Sequence, residues 1–255
     1  MSSLRARCPD CRTLTAVAIG PEYQCHSCGR EFAAGLVRVP RAWGDGGDAM
    51  ADAAGLQLPY PESAVVAEAT LADQTRVLAA ALPHRPLILG GCCCAHIGAV
   101  SGLATRAGRL GLVWIDAHGD LNTPETSPSG NAWGMPLRML LDDGTARTED
   151  TALVGARSLD PGESAFLAET GLDDSLDRAL AGVDAVYVAL DLDVLDPSEI
   201  EVFVPEPHGL DAAEVEAILR DIARRTPVAG AGVTGLLPAA PNVPVAIRLL
   251  AALGL

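Results

Sequence analysis

Six continuous apolar runs constrain the fold of this 255-residue chain more than any other feature. They are LVRV (36–39), PLILGG (86–91), LGLVWID (110–116), ALVGAR (152–157), AVYVALDLD (185–193) and VAGAGVTGLL (228–237). None alternates regularly with polar residues, so each reads as a strand covered on both faces. Between them lie stretches that predict helices over 63–82, 92–106, 134–142, 162–181 and 211–226, with a last one over 242–253. Strand–helix alternation of this kind specifies an α/β fold in three layers, a doubly wound and mainly parallel sheet with helices on both faces. Such sheets bind ligands outside the C-terminal ends of their strands, so the residues that close each run are the ones to read for function. The segment 40–62, with its Gly, Asp and Pro, is the loosest.

Residues 1–35 differ from the rest and read as a separate small domain, with 36–255 as the main body. Two knuckles, CPDC (Cys8, Cys11) and CHSCG (Cys25, Cys28), suit a single tetrahedral ion, two thiolates coming from each tight turn. The expectation is a zinc ribbon whose structural Zn²⁺ supplies the folding energy that so small a core cannot. Its natural role is structural or as a docking surface for a protein partner.

The run LGLVWID leads into Asp116, His118 and Asp120, and AVYVALDLD delivers Asp191 and Asp193. Alternation along a strand would project each set to one side, at the same rim of the sheet. One Asp after a strand is an ordinary cap or turn residue. Four carboxylates at one rim repel one another unless a divalent cation joins them. One His among carboxylates suits Mn²⁺ first, and Zn²⁺ or Ni²⁺ next.

Composition removes several alternatives. The formal net charge is −15, which repels nucleic acid. All 18 basic residues are Arg, so a P-loop lysine, a Schiff-base lysine and a Ser–Lys nucleophile are excluded. No apolar run reaches the roughly 18 residues of a membrane span. The opening MSSLRARCPDCR lacks the apolar stretch of an export signal. Seven Cys, an odd number, then fit thiols and metal ligands in the cytoplasm rather than disulfides.

Two motifs carry a family resemblance. WIDAHGDLNTPETSPSGN (114–131) resembles the second metal motif of the arginase/ureohydrolase family, and ALDLDVLDPS (189–198) resembles its third. LGGCCCAHIG (89–98) fits the first motif in position, and VGARSLDPGE (154–163) is similar to the segment that holds a substrate amino group. The resemblance implies an arginase/deacetylase-like sheet, a homo-oligomer, a small-molecule substrate, and a pair of Mn²⁺ ions whose shared hydroxide attacks a guanidinium carbon. It further implies that Asp116 and Asp191 bridge the ions, that His118 and Asp193 complete one, and that Asp120 belongs to the other. Asp116 and His118 are thereby the catalytic pair. Asn122, Ser127 and Ser129 would face an amino-acid carboxylate, and Asp160 its α-amino group.

The departures from that pattern shape the functional expectation. The first-motif His is replaced by Cys93, a softer ligand, with His96 one turn further on as an alternative donor. Packing accounts for Cys92 and Cys94. The proton-shuttling His is Trp133, and the Glu that clamps the guanidinium falls at Gly235. Glu201, Glu206 and His208, in the loop after the third motif, are candidate replacements for a lost acid or shuttle. The reading that fits best is a metal-dependent hydrolase of a linear C–N bond in an amidino, guanidino or related amino-acid-like compound, inefficient on free L-arginine. On that reading arginine turnover is slow and rises when Gly235 is changed to Glu. Two alternatives stand beside it: a mononuclear zinc amide hydrolase, and a non-catalytic docking or regulatory protein.

Overall fold

A computed structural model describes residues 5–6, 8, 11, 13–19, 22–33 and 35–255. Part of the opening segment read for an export signal lies outside them. In the first 35 residues, β1 (Arg5–Ala6), β2 (Ala16–Ile19), β3 (Glu22–Cys25) and β4 (Glu31–Ala33) pair antiparallel in sequence order. Cys8 and Cys11 fall in the β1–β2 connection, while Cys25 ends β3 and Cys28 lies in the β3–β4 connection. Cys8, Tyr23, Cys25 and Ala16 form the small buried cluster beneath them.

The body is built from β5 (Leu36–Val39), α1 (Asp48–Asp52), β6 (Glu62–Val65), α2 (Leu71–Ala81), β7 (Leu87–Gly90), α3 (Ala95–Ala104), β8 (Leu110–Ile115) and α4 (Pro136–Asp142). It continues through β9 (Thr151–Val154), α5 (Pro161–Thr170), α6 (Leu176–Ala179), β10 (Ala185–Asp191), α7 (Ala212–Arg225), β11 (Val228–Thr234) and α8 (Asn242–Ala252). The seven strands form one parallel sheet in the order β6-β5-β7-β11-β10-β8-β9.

The six strands inside edge strand β6 divide their side chains between two cores, which is why their runs are continuously apolar. Val113, Ile115, Val186, Val188 and Leu190 pack with Val215, Leu219 and Ile222 of α7 and Leu249 and Leu250 of α8. Leu112, Trp114, Tyr187 and Ala189 face the opposite way, toward Leu78 of α2, Val100 and Leu103 of α3, and Leu137 and Leu140 of α4. The three layers expected from the sequence are present.

Three local readings change. Residues 63–65, expected as the start of a helix, belong to the edge strand β6; three of its four side chains are exposed, which leaves no apolar run to read. The helix expected over 162–181 is two: Gly171 at φ +69° ends α5, and Ser175 caps α6. The loose segment 40–62 carries α1 and a 3₁₀ turn over Ala53–Gly55.

After β7 the chain leaves through α3 and returns at β8, three strand positions away; β10 and β11 later fill the two places between. The C-terminal ends of β7, β11, β10 and β8 therefore stand side by side, and a crevice opens there.

Candidate metal centre and substrate pocket

A cavity of about 270 Å³ occupies that crevice. Asp116, His118, Asp120, Asp191 and Asp193 all line it, as do Asn122, Ser127, Ser129 and Asp160. Strand alternation is only part of how they arrive. The β8 ladder ends at Ile115, and Asp120 reaches the crevice through a left-handed backbone at φ +53°. Asp193 comes from a 3₁₀ turn over Leu192–Val194 that the Asp191 carboxylate starts by accepting from the Asp193 amide at 3.0 Å.

The acidic groups are buried and close. His118 Nδ1 lies 2.9 Å from Asp193 Oδ2 and 3.5 Å from Asp116 Oδ1. The Asp116 carboxylate accepts from the His118 amide at 2.7 Å and from the Trp114 indole at 3.1 Å. Burial, reinforced by the Asp193 charge, pushes Asp191 up to about 7. Burial and the Asp116 charge push Asp193 up to about 6. The same two causes raise Asp120 well above the carboxylate range. Burial opposes the charge on His118, but hydrogen bonds to Asp116 and Asp193 outweigh it and drive the imidazole to about 12.

These shifts describe anions held together without enough positive charge. Asp120 Oδ2 is buried with no hydrogen-bond partner, although ordinary proteins rarely leave a carboxylate so. Two donor sets could take a cation: Asp116, His118 and Asp193, and, sharing Asp116, Cys93 and Asp120, with ligand atoms in each set within 4.8 Å of one another. An orphaned carboxylate inside one set and a His–Asp pair inside the other fit divalent ions.

His96 does not belong to either set. It is fully buried, its Nδ1 lies 2.9 Å from Tyr187 Oη and its Nε2 3.2 Å from Thr234 Oγ1. Thr234 donates onward to Asp191 Oδ2 at 3.1 Å. That order makes Tyr187 the donor to Nδ1 and Nε2–H the donor to Thr234, which uses both ring nitrogens. Burial lowers His96 to about 3, so the ring is neutral. Cys93 is the group that enters the centre, 2.9 Å from Asp191 Oδ2.

Glu163, Thr126 and Phe203, which the motifs did not single out, help to hold the rest of the pocket. Glu163 Oε1 accepts from the Leu121 amide at 3.0 Å and Oε2 from the Asp160 amide at 2.9 Å, tying the loop after β8 to the start of α5. The Asp160-Pro-Gly-Glu163 spacing of a capping box was the available signal. Asn122 donates to Asp160 Oδ2 at 2.8 Å and accepts from Thr126 Oγ1 at 2.9 Å. Ser127 and Ser129 sit with their hydroxyls 3.4 Å apart. Trp133 meets Phe203 edge to face at 5.8 Å, forming an aromatic wall.

Of the three loop candidates, only Glu206 reaches the centre, its Oε1 lying 3.3 Å from His118 Nε2. Arg157 holds that loop, donating to the backbone carbonyls of Asp193, Val194, Glu206 and Pro207. Glu201 and His208 are exposed and outside the cavity.

The arginase family model matches residues 42–253, most of the chain. The chain belongs to the arginase family. Arginase from Bacillus subtilis (strain 168) is 39% identical over 143 residues, 45% of this chain and 48% of that protein. The chain thus matches about half the length of that curated relative. In structure it is similar to the native arginase of Bacillus caldovelox, with a TM-score of 0.74 and 28% identity over 86% of this chain and 97% of that one. Proclavaminate amidino hydrolase from Streptomyces clavuligerus shares the fold, with a TM-score of 0.67 and 20% identity over 88% of this chain and 93% of that one.

Against the family pattern, Gly235 proves more than a missing carboxylate. Its φ is +75°, and a Cβ placed on it overlaps Asp191 Oδ1, with Asp191 Cγ at 2.6 Å. The expectation that Gly235→Glu would rebuild a guanidinium clamp is therefore corrected: a side chain there displaces Asp191. Among the described N-terminal residues, Cys8 and Cys28 Sγ are 3.5 Å apart, as are Cys11 and Cys25, and all four lie within 4.8 Å of one another. A tetrahedral ion with thiolates at about 2.3 Å has S···S edges of about 3.8 Å, close to what is seen.

Proposed function

We propose that this chain is a metal-dependent hydrolase that cleaves a linear C–N bond in a compound with an α-amino-acid end and an amidino or guanidino-type distal group. Free L-arginine is a poor substrate on this reading. The observation that carries it is the pocket itself, where the acidic cluster, the Asn122–Asp160 pair and the Trp133–Phe203 wall line one cavity.

Asp116, Asp191, His118 and Asp193 would hold one divalent ion, and Asp116, Asp191 and Asp120 a second, with Mn²⁺ the ion that the resemblance favours. When bound, such ions lower the pKa of water and polarise the electrophile. Asp160 and Asn122 would receive the ammonium and carboxylate of the substrate, with Ser127 and Ser129 completing the carboxylate contact. Glu163 would keep Asp160 and the loop after β8 in register through its two amide contacts. Trp133 has no ionisable group, so any shuttle must come from elsewhere; Glu206, against His118 Nε2, would orient the imidazole and set its basicity. Trp133 and Phe203 would stack on the distal group and exclude water from it. In the N-terminal domain, Cys8, Cys11, Cys25 and Cys28 would hold structural Zn²⁺ and offer a surface to a protein partner. The body would work in the cytoplasm as a homo-oligomer.

The experiment is a panel of amidino, guanidino and formimino amino acids assayed with Mn²⁺ for release of urea, amine or ammonia. Turnover of arginine near the ordinary enzyme scale of about 10 per second would refute the altered-substrate reading. Slow arginine turnover beside faster cleavage of a neutral or bulkier distal group supports it.

A further inference from the structure

Resting on the reading of the crevice as a metal centre, we infer that its two ion positions differ in kind. The position formed by Cys93, Asp116 and Asp120 is a thiolate site that selects Zn²⁺ or a comparably soft divalent ion, while the His118 position keeps Mn²⁺.

Two independent observations place Cys93 there. Its Sγ shares a donor cluster with Asp116 and Asp120, all buried, within 4.8 Å of one another. In that cluster Asp120 Oδ2 is buried and unpartnered, so a cation has a vacant ligand to take. The thiol has little competing structural work. It lies 2.9 Å from Asp191 Oδ2, but Thr234 and the Asp193 amide also donate to that carboxylate, at 3.1 and 3.0 Å. Removing the thiol proton leaves Asp191 satisfied on both oxygens. The neighbouring thiols are buried, and only Cys93 has a hydrogen-bond contact with the acidic groups.

The chemistry follows from the donors. Coordination deprotonates the thiol, the proton passes to solvent, and no electrons move. One thiolate with two carboxylates is softer than the imidazole and carboxylates at the other position, and softness is what separates Zn²⁺ from Mn²⁺ when both fit in size. Neighbouring positions sharing Asp116 therefore differ in preferred metal, and this chain's own residues make the difference.

The test is ¹¹³Cd NMR on the full-length protein loaded with Cd²⁺, because a cadmium resonance moves downfield with each thiolate in its coordination shell. Three separate resonances are expected: a far-downfield one from the four-Cys cluster, an intermediate one from the Cys93 position, and an upfield one from the His118 position. Cys93→Ser should remove or shift upfield only the intermediate line, and His118→Ala should remove the upfield line. Elemental analysis after dialysis against equal Mn²⁺ and Zn²⁺ should find one of each in the core, and Cys93→His should shift the core to two Mn²⁺. The wild-type spectrum decides even if a variant does not fold. A wild type without the intermediate line overturns the thiolate position yet leaves the proposed hydrolysis open on the other ion. An intermediate line unchanged in Cys93→Ser overturns it as well. Absence of both core lines removes the metal centre and with it the proposed function.

Discussion

Replacing Gly235 with Glu is the most informative perturbation, because family resemblance and geometry predict opposite outcomes. Resemblance says that the carboxylate returns and arginine binds. Geometry says that the residue stands at φ +75° with Asp191 in the way. A non-glycine residue in the left-handed region costs roughly 1–2 kcal/mol. The larger effect is on Asp191, whose carboxylate is met by three donors: the Asp193 amide, Thr234 and Cys93. Hydrogen bonds to a charged group contribute about 1.5–3 kcal/mol each. Rotating the carboxylate away breaks at least two of them, so the whole change costs on the order of 4–8 kcal/mol. That is a large part of the roughly 5–15 kcal/mol by which a domain is stable. Urea melts should show the loss, and elemental analysis should find core metal gone while the ribbon zinc stays. Gly235→Ala should reproduce both effects, since the Cβ alone is sufficient. A Gly235→Glu protein that melts like the wild type, keeps its core ions and hydrolyses arginine faster would refute the reasoning.

Cys25→Ser should release about one zinc per chain and unfold the four-stranded N-terminal sheet while the far-ultraviolet signature of the body persists; unchanged zinc content would contradict it. Asp191→Asn should abolish core metal and leave the ribbon zinc, as read by elemental analysis. Glu206→Gln should lower kcat by about 10-fold with KM little changed, the range of an outer partner of a metal-bound His, and should move the pH profile, which a merely structural residue would not. Stripped of core metal, the protein should be most stable near pH 4, because the two raised carboxylates outweigh the lowered His96 at every higher pH. Asp191, at about 7, and Asp193, at about 6, bind protons more tightly when folded, as does His118, so stability falls as pH rises from about 4 toward 7 and beyond. His96, lowered to about 3, binds them less tightly, so its contribution is lost as pH falls below about 6.5. Metal replaces those protons and should flatten the alkaline limb in thermal melts.

What the sequence revealed, it revealed through constraints that act locally. Strands buried on both faces must be continuously apolar, so β7, β8, β10 and β11 are legible, and with them the rim to which Asp116 and Asp191 are attached. Edge strand β6 is exposed and carries no such pattern. Asp120 was found for an incomplete reason, since a left-handed residue rather than strand alternation brings it in. Glu163 had a readable capping signal, but nothing in its own spacing tied it to the loop after β8, 42 residues away. His96 and Cys93 could be told apart only by three-dimensional contacts: the same turn of chain sends one into the core against Tyr187 and the other into the crevice. Gly235 was correctly aligned, yet its backbone angle and its contact with Asp191 are tertiary facts.

The positions that depart from the family are not scattered. Cys93, Trp133 and Gly235 all line the one cavity, with Cys93 and Gly235 touching Asp191. The end of the cavity proposed to take an amino-acid group is tied down separately, Asn122 by Thr126 and Asp160, and Asp160 by Glu163. A protein that used this body only for docking would have no reason to keep the other end of the pocket so ordered. It would also carry a standing cost, because Asp116, Asp120, Asp191 and Asp193 are each less than a tenth exposed. Buried like charges without a counter-ion cost several kcal/mol, and an apolar or amide substitute would relieve that. Retaining all four makes physical sense if a cation is there to neutralise them. On the proposed reading, the departures fall at the distal end of the site, where the family's clamp, shuttle and one metal ligand are exchanged together while the four carboxylates that would bind metal remain.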